Sequence, residues 1–219
     1  MITYEQIKKD PSINAYIKAA DASLSALGYT EHSYAHVGNV AATSEKILRT
    51  LGYDAHTVEL AKIAALLHDI GNLVNRSEHS QSGAVMAFRI LDNLGMPAED
   101  IATVVTAIGN HDEGVGVPVS PMAAALILAD KSDVRRSRVR NRDFASFDIH
   151  DRVNYSVEKS ELSVDPEEKT ITLTLKIDTE ISSISDYFEI FLQRMLLCRK
   201  AAEKLSQTFR LIINSQRFI

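Results

Sequence analysis

Apolar residues recur three and four positions apart from Thr3 to about Arg142, and that spacing predicts a helix-rich segment divided by ordinary stop and start signals. The first two helices are expected at 4–9 and 13–27, with Ser12 as an N-cap and Gly28 just past the end. A third covers 33–51 and stops at Gly52. A fourth follows Asp54 and carries Val58, Leu60, Ile63, Ala64, Leu66 and Leu67, so dense an apolar set that deep burial is expected. A fifth spans 80–94 before Gly95, and Pro97 opens a sixth that reaches about Asn110. DEGVGVPVS, residues 112–120, reads as a loop. Ser120 and Pro121 then begin a seventh helix with an apolar face from Met122 to Ala129.

Past about Asp148 the period changes to two. Residues 153–164 and 170–177 alternate around the turn-like DPEEK and predict an antiparallel hairpin. An amphipathic helix is expected at 184–206, and 209–213 reads as a returning strand. The fold class is therefore mainly α, a helical bundle over 1–148 followed by a small α+β appendage over 149–219, hairpin plus long helix. The sequence contains no internal repeat.

Composition narrows the chemistry. Apolar residues make up 45% and charged residues 24%, the usage of an ordinary globular chain. The single cysteine, Cys198, excludes an internal disulfide framework and a cysteine-rich zinc site, so a metal would have to be held by histidine and carboxylate. The opening MITYEQIKKD has no apolar signal core, and no stretch approaches the roughly 20 apolar residues of a membrane span. A cytoplasmic protein without a membrane partner is expected. The net charge of -5 argues against nonspecific binding of nucleic acid.

Potential ligands recur on successive elements: His36, the His68 and Asp69 pair, His79, His111 and Asp130. Imidazole and carboxylate suit divalent ions such as Fe, Mn, Ni, Co or Zn, without choosing among them. Asp69 and Asp130 each follow an apolar run, and a carboxylate buried there costs several kcal/mol unless it is paired or metal-bound.

The strings HSYAH, LLHDIGN, EHSQSGA, IGNHDEGVGVP and LILADKSD, within residues 32–136, resemble the successive motifs of HD-domain phosphohydrolases. The resemblance implies an HD-type bundle in which His36, His68, Asp69 and Asp130 bind one divalent metal. His79 and His111 would bind a second, with Asp69 bridging. It also implies hydrolysis of a phosphate ester or anhydride by metal-activated water, with Asp69 and Lys131 as catalytic residues. The substrate would be a small phosphorylated molecule, a nucleotide among the candidates. GVGVP and ADKSD are similar to the HD-GYP subgroup, but Asn72, Asn110 and Val117 stand where that subgroup has Lys, His and Tyr, which weighs against cyclic-dinucleotide cleavage. Two alternatives from the same resemblance are a di-iron oxygenase and a regulatory module that binds a nucleotide without turnover.

Supporting roles are expected nearby. Lys131 to Arg142 holds six basic residues in twelve positions, and Lys131, Arg135 and Arg138 are the candidate substrate contacts. His32 and Asn72 are expected to support the ligands without touching the metal. His56 and His150 read as surface or core residues and Cys198 as a packing residue. The aromatic and Met positions from Phe188 to Met195 read as core or as a homodimer contact.

Overall fold

A computed structural model describes residues 2–219. The first helix, α1 (Tyr4–Lys9), begins with a capping box in which Thr3 and Gln6 satisfy each other's free amides. α2 (Pro11–Ala26) is capped by Asp10, which accepts from the amides of Ser12 and Ile13, so Ser12 lies inside the helix and is not its cap. Pro11 needs no amide partner at that first position, which lets the helix start earlier than the apolar pattern suggests. Ser33 caps α3 (Tyr34–Thr50) and Asp54 caps α4 (Ala55–Leu67). A single 3-10 turn (Ile70–Leu73) leads to α5 (His79–Asn93). α6 (Ala98–Gly109) has Pro97 as its N-cap residue, one position outside the helix, and α7 (Pro121–Ser132) is capped by Ser120.

α4 and α7 form the centre. Val58, Leu60, Ala61 and every residue from Ile63 to Leu67 are buried in α4, as is the whole run from Met122 to Ala129 in α7. α3 packs on both, α6 packs on both, and α5 rests on α6 and on the 3-10 turn. This arrangement directs the C-terminal ends of α4 and α7 and the N-terminal ends of α3 and α5 toward one region.

Residues 153–156, placed at the start of a strand by their alternation, belong instead to a helix, α8 (Ile149–Ser156). Asp148 accepts from the amide of Asp151 and so caps a helical turn, and Val153, Asn154 and Ser156 are its buried residues. The strand begins only afterwards. β1 (Val157–Asp165) and β2 (Thr170–Ile177) form the expected antiparallel hairpin, with Leu162 opposite Leu173 and Val164 opposite Ile171. α9 (Ile184–Lys204), opened by a Ser183–Asp186 capping box, crosses over to β3 (Thr208–Ile213), which pairs parallel to β2. A short β4 (Gln216–Arg217) completes the sheet in the order β1-β2-β3-β4. α9 packs on α7, its Tyr187, Phe191 and Met195 are all buried within this chain, and one apolar cluster runs from Tyr4 through the sheet to Ile213. Among the described residues, no helix is long and apolar enough to cross a membrane.

Candidate metal centre

Each candidate ligand sits where a helix begins or ends. His36 is in the first turn of α3, His68 closes α4, and Asp69 enters the 3-10 turn. His79 opens α5 behind Glu78, whose φ of 56 makes a sharp corner in the backbone. His111 follows α6 and Asp130 lies in the last turn of α7. Gly71 lets the His68–Asp69 turn lie directly on α5: a Cβ there would collide with the carbonyl of His79 and stand 2.5 Å from the amide of Gly83.

The four imidazoles are oriented in the same way. Nδ1 of His68 donates to the carbonyl of Ala65 (2.8 Å), that of His111 to Ile108 (2.6 Å) and that of His79 to Arg76 (3.1 Å). Nδ1 of His36 meets Oδ2 of Asp133 at 2.7 Å. Carbonyl oxygens only accept, so the ring proton is fixed on Nδ1 and the Nε2 lone pair is turned inward.

Those Nε2 atoms make two nests around one carboxylate. In the first, Asp69 Oδ2 is 3.5 Å from His36 Nε2 and 3.2 Å from His68 Nε2, and Asp130 Oδ1 is 3.3 and 3.7 Å from the same nitrogens. In the second, Asp69 Oδ1 is 3.5 Å from His79 Nε2 and 4.0 Å from His111 Nε2. Asn72 Nδ2 holds the carboxylate by donating to Oδ1 (3.0 Å). Separations of this size suit ligand atoms that surround an ion at about 2.0–2.2 Å.

The donor set fits divalent metal on direct grounds. His36 Nε2, His68 Nε2 and Asp69 Oδ2 are buried without any hydrogen-bond partner, a costly arrangement that a cation relieves. His79 Nε2 and His111 Nε2 face each other at 3.2 Å, two lone pairs that a cation between them reconciles. Without one, burial disfavours a charged His68, yet the carboxylates of Asp69 and Asp130 override it and push its pKa up to about 10. The pocket thus demands positive charge. Burial pushes His111 down to about 3, and it also lowers His79 and His32, keeping those rings neutral.

A cavity of about 410 Å³ opens over Asp69, His79 and Asp130. Lys131 and Arg138, both expected as substrate contacts, line it, whereas Arg135 lies outside, clamped on Asp133 by bonds of 2.6 and 3.0 Å. Arg138 spends two donors on the carbonyls of Glu31 (2.8 Å) and Asp133 (2.6 Å). His32 precedes α3 and lines the cavity, its ring centroid 5.4 Å from that of His36. His56 is held by Asp100 at 2.7 Å, away from the centre, and Cys198 is buried in α9. His150, read as surface or core, lines the cavity from α8.

Other groups at the site went unremarked in the sequence. Asp133 lies in ADKSD, three residues past Asp130, so its signal was present. Glu113 likewise lies in IGNHDEGVGVP, two residues past His111, whereas Arg76 and Arg194 carried none, because tertiary packing brings them to the cavity.

The family model of the HD domain matches residues 33–135. That segment is an HD domain. The HD superfamily is one of metal-dependent hydrolases, and the clusters His36, His68, Asp130 and His68, Asp69, His111 of this HD domain are compatible with metal binding. An uncharacterized protein of Methanocaldococcus jannaschii is 27% identical over 201 residues, spanning 81% of this chain and 76% of its own length. The likeness therefore extends beyond the HD domain itself.

Proposed function

We propose that the chain is a metal-dependent phosphohydrolase acting on a phosphate ester or anhydride of a nucleotide or other small phosphorylated metabolite. One observation carries the reading: the two oxygens of Asp69 face two histidine pairs, and in the first of them the inward nitrogens of His36 and His68 are buried without a protein partner. His36, His68, Asp69 and Asp130 would hold one ion, and His79, His111 and the other oxygen of Asp69 a second. Bound there, divalent ions supply Lewis acidity and a water acidified toward neutrality.

The chain's own residues do the rest. Asn72 fixes the rotamer of Asp69, and Asp133 fixes the ring of His36. Lys131, Arg138, Arg76 and Arg194 put positive charge on the cavity wall, where a phosphoryl group gains charge-assisted hydrogen bonds. Tyr29 and Phe191 add apolar surface for the remainder of the substrate.

Purified protein is expected to carry metal and to hydrolyse a phosphate ester equally well in air and under argon. Asp69→Ala should lose both bound metal and hydrolysis. Full activity in that variant overturns the assignment, and turnover only with oxygen transfers it to the di-iron oxygenases.

A further inference from the structure

Resting on the hydrolase reading, this inference concerns which ester the cavity takes. Beside Asp130, three charged side chains from three segments meet. Lys131 Nζ lies 2.8 Å from Asp130 Oδ2 and 2.6 Å from Glu113 Oε2. Arg194, on α9, puts Nη2 and Nε at 3.1 and 3.3 Å from Glu113 Oε1, with its guanidinium 4.3 Å from the centre of the Phe191 ring. Glu113 is a ligand in neither nest. Its two oxygens each sit on a different cation, which is the arrangement an anion takes in a binding site. Its side chain is 25% exposed, although Oε2 itself is buried, and it belongs to the loop with Gly114 and Gly116.

We infer that Lys131 and Arg194 form an anion subsite adjoining the metal centre, that it takes a terminal oxygen of a phosphomonoester, and that Glu113 occupies it until the ester displaces that carboxylate. A monoester dianion has three terminal oxygens and a second negative charge. A diester has two such oxygens and one charge. With one oxygen directed at each nest, the diester has none left for Lys131 and Arg194, while the monoester keeps a third. Arg194 lies outside residues 33–135, so the C-terminal unit supplies half of the subsite.

The test is calorimetric titration of inorganic phosphate into the Mn²⁺-loaded full chain, with bound metal measured in every variant. Arg194→Ala is expected to weaken phosphate by roughly 10- to 100-fold, the range of a lost charge-assisted hydrogen bond, with metal content unchanged. Glu113→Gln removes the competing carboxylate and is expected to tighten phosphate roughly tenfold. A purely structural Glu113 would have the opposite sign, because both cations would lose their support. Unchanged or weaker binding in Glu113→Gln therefore overturns the inference. Should that variant not fold, wild-type affinity in Arg194→Ala does so alone. Arg194→Ala should also lower kcat/KM for p-nitrophenyl phosphate by roughly 10- to 100-fold, and that for bis(p-nitrophenyl) phosphate by less than about threefold. Equal losses overturn the monoester assignment. A loaded wild type that hydrolyses neither ester defeats the hydrolase reading instead, and the phosphate titrations still decide the subsite.

Discussion

The two nitrogens of His36 have different tasks: Nε2 faces Asp69 and Asp130, and Nδ1 is held by Asp133 at 2.7 Å. Asp133 is in turn gripped by Arg135 and approached by Arg138, so the basic stretch after α7 acts partly through a carboxylate rather than on substrate. Replacing Asp133 by Asn keeps the shape but removes the charge that makes the ring a strong donor. The expected outcome is a loss of metal affinity of roughly 10- to 100-fold with the fold intact, read by metal titration and circular dichroism. Cys198 offers a second check at this scale. Burial pushes its thiol up to about 12, so it should be inert to Ellman's reagent at pH 8 and react fully only on denaturation; rapid reaction of the native protein would show that α9 does not pack as described. The six histidine and aspartate positions of the two nests were legible because each lies in a short motif. Arg194 was not, since nothing local marks a residue whose partners arrive through helix packing.

Helices one to seven were legible in outline because most begin at a side chain able to accept from free amides, as Ser33, Asp54 and Ser120 do. α8 was misread because Val153, Tyr155 and Val157 alternate as a strand would, and the Asp148 cap outweighed that local preference. The strand β3 was foreseen, but its parallel pairing was not, since register follows from where α9 delivers the chain. The turn after α4 depends on a single close approach. Gly71→Ala should destabilise the protein by at least about 2 kcal/mol, since backbone rather than a flexible side chain blocks the added methyl. It should also push His79 off the second nest, so thermal unfolding and bound metal per chain would fall together. Wild-type values for both would mean that the turn and α5 are not in contact.

At the scale of the molecule, α7 is the shared wall. One side meets α3, α4 and α6, and the other is covered by α9. The change of pattern near residue 148 marks a change of element type, and the apolar cluster continues across it. A fragment of residues 1–148 is therefore expected to lack a cooperative thermal transition and to bind a hydrophobic dye, because it would expose the apolar face of α7 that α9 covers. A sharp transition close to that of the full chain would show that the first part stands alone. The placement of α9 also bears on biosynthesis. While the ribosome is still making the segment up to Lys204, α7 has no cover on that side, and the growing polypeptide carries a greasy surface. Chaperones that patrol nascent chains should engage it in that interval and let go once the final helix is out.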